Sequence, residues 1–303
     1  MLSRVASLVL VSVLFVGTAS VAFAQDASPE ARPPRDISLL QGLGLPEINL
    51  VATDTDVTGL PQSVAAGRYL VTLDNQAADQ EVETYFGILP AGTTLDQAVA
   101  DLNADSEETP AWVYDATWAG GPNPYAGQTD AVVVDLTEGS WFAAFDRQTD
   151  NDPQPKDTAQ TLQVTAATAA ATPTAIAGAV PVNMKEFTFE IPGSIASGPQ
   201  IWEMGNTGTQ PHFMVLFGVP DGTTMNQVLA TVQTFVTGTP AADALGLDDL
   251  HDVYDTAFIS PGQHLWIQLN LDPGTYAAIC FFSDKDTGQL HALEGMVTVF
   301  TVS

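Results

Sequence analysis

The chain has a single cysteine, Cys280, among 303 residues. One thiol excludes a disulfide framework. It leaves two readings for Cys280, an inert buried thiol or a working thiolate. Basic residues are also scarce, with 8 Lys and Arg against 36 Asp and Glu and a formal net charge of -28. That balance argues against nucleic acid and anionic membrane surfaces as partners. The acids are scattered, as on a solvated exported surface. Histidine occurs four times, at 212, 251, 264 and 291, and the residues before 212 contain none. There is no His-x-His pair, and no G-x-S-x-G frames a nucleophile. Past the N-terminus no apolar run is long enough to span a bilayer.

That N-terminus reads as an export signal. Arg4 precedes an apolar run from Leu8 to Val16, and Ala22-Phe23-Ala24 is an A-x-A cleavage signal before Gln25. Residues 1–24 are therefore expected to be a signal peptide, with no cysteine there for a lipid anchor. The mature protein is expected to be exported, to the periplasm, the cell envelope or the medium. Residues 25–45 are weakly patterned and read as a flexible leader. Residues 166–181, AATAAATPTAIAGAVP, are low in complexity and uncharged, and read as a linker. They separate domains expected at 46–165 and 182–303.

The two halves repeat each other. Leu60-Pro61-Gln62-Ser63 matches Ile191-Pro192-Gly193-Ser194, and Asn75 matches Asn206. Phe86-Gly87 matches Phe217-Gly218, and the segment starting Gly92-Thr93-Thr94 matches that starting Gly222-Thr223-Thr224. Gly139 to Phe145 matches Gly274 to Cys280. Short β-rich runs punctuated by Pro and Gly predict strands, as at 187–191, 201–204, 213–217, 265–271, 276–282 and 297–302. In both halves a threonine opens a helical pattern, over 94–102 and 224–235. The expectation is an all-β protein of two tandem sandwiches, each with a short helical insertion.

Two stretches of the second half carry the chemistry. One is Asn206 to His212, ending Gln210-Pro211-His212 and followed by an apolar strand. The other runs from Gly274-Thr275-Tyr276 through Cys280 to His291 and then Met296. A thiolate and a thioether favour reduced copper, and imidazole suits both copper states. His251 and His264 lack a partner pattern and read as surface or strand residues. Asp284-x-Asp286-x-Gly288 lacks the later Glu of a calcium loop and reads as a turn.

Asn-x4-Pro-His before an apolar strand, and Pro-Gly-Thr-Tyr leading into Cys with a later His-x4-Met, resemble the two ligand segments of plastocyanin-type cupredoxins. The resemblance covers roughly 182–303 and, through the repeat, the first half more faintly. It implies Greek-key β-sandwiches and one type 1 copper. His212, Cys280 and His291 would be its equatorial ligands and Met296 its axial ligand. It also implies that His291 lies in an apolar surface patch for electron exchange, here with Leu290, Ala292 and Leu293. Three departures stand out: a longer Cys-to-His loop, Phe213 where the family places a small polar residue that braces the loops, and Phe281 after the cysteine where a small polar residue is common. In the first half His212 aligns with Glu81 and Cys280 with Phe145, so that copy is expected to bind no copper.

The expected function is one-electron transfer to transient redox protein partners, with a basic partner face favoured. No enzymatic activity is expected, since oxidases and reductases of this class need further histidines. The alternative is a metal-free or copper-storing exported binding or structural protein. The sequence leaves the oligomeric state open.

Overall fold

The computed structural model describes residues 34–104, 108–149, 157–167 and 175–303. The expected signal peptide, the start of the leader and the middle of the linker lie outside them. No helix among the described residues is long and apolar enough to cross a membrane.

The first half carries β1 (Glu47–Ala52), β2 (Val57–Thr58), β3 (Ser63–Ala65), β4 (Gly67–Asn75), β5 (Gln80–Ile88), β6 (Thr117–Gly120), β7 (Thr129–Leu136), β8 (Gly139–Thr149) and β9 (Thr158–Thr165). The second carries β10 (Val180–Lys185), β11 (Thr188–Glu190), β12 (Gly198–Asn206), β13 (Val215–Val219), β14 (His251–Asp255), β15 (His264–Leu271), β16 (Gly274–Ile279) and β17 (Val297–Val302). Among the described residues four α-helices accompany them: α1 (Ser38–Gln41), α2 (Leu95–Leu102), α3 (Ala111–Asp115) and α4 (Met225–Thr237).

Strand order repeats between the halves. β2-β1-β4-β7 in the first corresponds to β11-β10-β12-β15 in the second, and β9-β8-β5-β6 corresponds to β17-β16-β13-β14. Each half is a two-sheet, cupredoxin-like sandwich. The helical insertion falls between corresponding strands in both. Thr94 accepts a hydrogen bond from the Gln97 N–H, and Thr224 forms a full capping box with Gln227.

The buried asparagines explain one of the matched positions. Asn75 donates to the carbonyls of Gln80 and Pro124 and accepts from the Ala77 N–H. Asn206 donates to the carbonyls of Gln210 and Ile259 and accepts from the Gly208 N–H. One amide thus ties its own loop, through two backbone groups, to a second loop far along the chain in each half. That is the kind of buried polar group worth keeping only when fully bonded.

The halves do not sit apart on a tether. β7 pairs antiparallel with β15 and joins the two first sheets into one of eight strands. In the repeat that aligns Gly139 with Gly274, Val132 aligns with Ile267, and these two are register partners across the seam. The seam therefore lies on a local two-fold axis. It also accounts for the unbroken apolar run Ala131-Val132-Val133-Val134. Val132 and Val134 face the main core, while Ala131 and Val133 face a second cluster with Leu70, Trp266 and Leu40. Strands buried on both faces lose the polar alternation.

What covers the outer face corrects the reading of residues 25–45 as a flexible leader. Its described part, from residue 34, is fixed. α1 lies on the seam with Leu40 fully buried, and Gln268 Oε1 accepts the N–H groups of Leu39 and Leu40 at the helix start. Arg35 reaches Asp130 of the first half at 2.7 Å and Asp255 of the second at 3.3 Å. Its guanidinium lies over the Tyr254 ring, 4.1 Å from the centroid. The expected linker also overlaps structure at its end, because β10 begins at Val180 and Ile176 packs on the second cluster.

Candidate metal centre

His212 follows Pro211 at the end of the loop braced by Asn206. It forms a two-way backbone bridge with Ile259, just before β13. Cys280 comes directly after β16, whose residues from Thr275 to Ile279 are all buried. His291 and Met296 lie on the turn leading into β17. The backbone ties these positions together: Ala292 N–H donates to Cys280 O, Met296 N–H to His291 O, and Cys280 N–H to Met296 O.

Three side chains converge. Nδ1 of His212 and Nδ1 of His291 are 3.0 Å apart, and Cys280 Sγ is 3.6 Å from His291 Nδ1 and 4.0 Å from His212 Nδ1. All three residues, and Met296, are 0 % exposed. Among the described residues this is the one group of three or more metal-ligating side chains that lie together. Met296 is held beside them through the two backbone bonds just given.

Burial sets the electrostatics. It lowers the His212 imidazole to about 4 and the His291 imidazole to about 3, the latter also because His212 repels a second positive charge. Both rings are neutral at pH 7. Burial pushes the Cys280 thiol up to about 12, so only a bound cation would make it a thiolate at neutral pH. The donor set fits one soft ion. Separations of 3.0 to 4.0 Å are those that bonds of about 2.0–2.3 Å from a single ion to nitrogen and sulfur would give. Nε2 of both imidazoles is buried without a hydrogen-bond partner, which leaves the two rings presenting Nδ1 to the shared centre.

The surroundings revise two expectations. The expected patch is mostly closed over, with only Leu293 half-buried at its edge. Leu290 and Ala292 are buried, and the rings of Phe187 and Phe282 pack on His291 at 4.9 and 5.8 Å between centroids. α3 of the first half closes over Phe282. Tyr114 meets it edge-on and donates to the Ser283 carbonyl, and Asp115 pairs with Lys285 at 2.7 Å. From Phe282 ring contacts continue through Phe258 to Trp118 in the first half. The long Cys-to-His loop is thus packed against the other copy.

The second revision concerns the missing brace after His212. Phe213 is core. Gln210 takes over the bracing, two residues before the histidine. Its Nε2 donates to Asp284 Oδ2 and its Oε1 accepts the Lys285 N–H, both at 2.6 Å. Asp284 also accepts the N–H groups of Asp286 and Thr287, closing the Asp/Gly turn that the sequence predicts. Sequence reasoning missed Gln210, α3 and Glu186. For Glu186 the repeat gave no signal, because its spacing matches Asp54 to Lys185, and only the strand register matches Asp54 to Glu186. His264 pairs with Glu203 and stacks on Trp266, and His251 is exposed at the start of β14.

No protein-family model matches the chain, and no curated protein matches it. Among solved structures it is similar to a reduced auracyanin from Roseiflexus castenholzii, at 17% identity over 43% of this chain and 99% of that one, with a TM-score of 0.28. It is similar to auracyanin B at 21% identity, over 44% of this chain and 93% of that one, with a TM-score of 0.28. A multicopper oxidase variant from Aquifex aeolicus matches at 14% identity over 86% of this chain and 66% of that one, with a TM-score of 0.25. The strand order repeated between the halves shows two tandem all-β sandwiches.

Proposed function

We propose that the protein is an exported electron carrier that holds one type 1 copper at His212, Cys280 and His291, with Met296 as the axial ligand. The observation that carries this reading is the convergence of two neutral imidazoles and the lone cysteine in a buried, closely braced pocket. Copper bound there would supply a Cu(II)/Cu(I) couple. The chain's own part is to keep its donors in place in both oxidation states. The backbone bonds among 280, 291, 292 and 296 and the Gln210 brace do that. They limit rearrangement and therefore the barrier to moving an electron.

On this reading the protein is not an enzyme. This reading is supported by His251 and His264 lying outside the three-residue cluster among the described residues and by the lack of any histidine or cysteine before residue 212. Partners are transient redox proteins, and the acidic charge favours a basic face whose association weakens with salt. The complete burial of His291 favours a second reading, copper storage, because retained metal benefits from a closed site. Voltammetry of the copper-loaded protein separates the two. One reversible one-electron wave per chain supports transfer. Copper that binds without a reversible wave supports storage.

A further inference from the structure

The two halves permit a comparison that isolates one carboxylate. In the first, β1 and β4 end with Ala52 opposite Asn75, and the Gln76 N–H donates to Ala52 O. In the second, β10 and β12 end with Met184 opposite Asn206, and the Thr207 N–H donates to Met184 O. Two residues beyond Ala52 stands Asp54, and two beyond Met184 stands Glu186. Asp54 accepts the Ala78 N–H. Glu186 Oε1 accepts the N–H of Thr209, which is the counterpart of Ala78, together with the Gln210 N–H at 2.9 Å and the Thr209 hydroxyl at 3.1 Å. Fastening this loop is therefore common to both halves and needs no metal.

The second half adds one methylene, and the neighbouring residue has shrunk to match. Ala77 of the first half corresponds to Gly208, where an added Cβ would lie 2.6 Å from Glu186 Oε1. The longer acid occupies the space that the glycine leaves. Its Oε1 then stands 3.4 Å from Nε2 of His212, an ion-pair distance outside hydrogen-bond geometry. A carboxylate facing Nε2 favours the tautomer protonated there. That leaves the Nδ1 lone pair directed at Cys280 and His291. Outer carboxylates orient ligand imidazoles in this way and add negative charge near the ion.

We infer that Glu186 is a positioning residue for His212: it fixes the Nε2–H tautomer and the direction of Nδ1, and its charge lowers the reduction potential of the centre. The tautomer part stands on the chain alone, and the potential part rests on the copper reading above. The backbone donors also favour its charge.

The test uses the full mature chain and the variants Glu186→Asp and Glu186→Gln. Aspartate keeps the loop bond, as Asp54 does, and withdraws from His212. Glutamine keeps an acceptor oxygen and removes the charge. On the metal-free protein, long-range nitrogen NMR of the imidazoles should show wild-type His212 with its proton on Nε2 and Glu186→Asp as a mixture of tautomers. On the copper-loaded protein, both variants should have a more positive reduction potential than wild type. A wild-type His212 protonated on Nδ1, or a Glu186→Asp spectrum identical to wild type, overturns the positioning role. Unchanged potentials in both variants overturn the charge role, whatever their melting temperatures. If wild type forms no thiolate–copper band, the copper reading fails and the metal-free spectra still decide the tautomer.

Discussion

His212 and His291 point Nδ1 at Nδ1 across 3.0 Å, inside a core that excludes water. Two imidazoles at that separation cannot both be protonated on those atoms. Either one proton or one cation lies between them. The pair is a strong acceptor set made by burial.

The first is a pH dependence. Both imidazoles have folded values below the ordinary 6.5, about 4 for His212 and about 3 for His291. More than about one unit above pH 6.5 they are neutral whether the chain is folded or unfolded, and they contribute no pH dependence. As pH falls below 6.5 the unfolded chain takes up protons that the folded chain refuses, so stability falls. At pH 4 the loss is roughly 3 kcal/mol for each ring. Asp146 works in the opposite sense, since burial raises its carboxyl to about 6 and it gains stability as pH falls toward 4. The histidine share is the difference between metal-free wild type and a His212→Gln/His291→Gln variant in urea titrations at pH 7.5 and 4.5. The variant should lose less stability on acidification.

Gln210→Ala should separate the two ligand loops. It leaves Asp284 Oδ2 and the Lys285 N–H without their partner in a nearly closed site. The expected cost is about 1–3 kcal/mol in chemical unfolding. Release of copper to a chelator should be faster than from wild type. Unchanged release would mean that the brace is idle.

Arg35→Ala tests the strap. The substitution leaves Asp130 buried beneath the seam without its ion-pair partner. It should destabilise the protein by about 3 kcal/mol. Adding Asp130→Asn should recover part of that loss, because the uncompensated charge is then gone. Equal losses in the single and double variants would contradict the assignment.

Much of this was legible in the sequence, for physical reasons. The repeat, the threonine-capped helices and most strands appear as local patterns, and local patterns are what a sequence displays. The three residues that converge, His212, Cys280 and His291, could be picked out because a lone cysteine and a small number of histidines leave few combinations. The leader was misread because four helical residues and one buried arginine carry no periodicity. Leu40 is fixed by Trp266 and Gln268, which lie far along the chain. The closure over His291 was missed for the same reason. α3 and the Cys-to-His loop come from different halves and meet only in the folded protein. Gln210 could not be singled out because a glutamine becomes a brace only when both ends of its amide find partners.

The most direct test of the copper centre is the visible spectrum during titration of the metal-free protein with Cu(II). Wild type should develop an intense thiolate-to-copper band that saturates at one copper per chain, and Cys280→Ser should develop none. Identical colourless titrations of the two proteins would contradict the account.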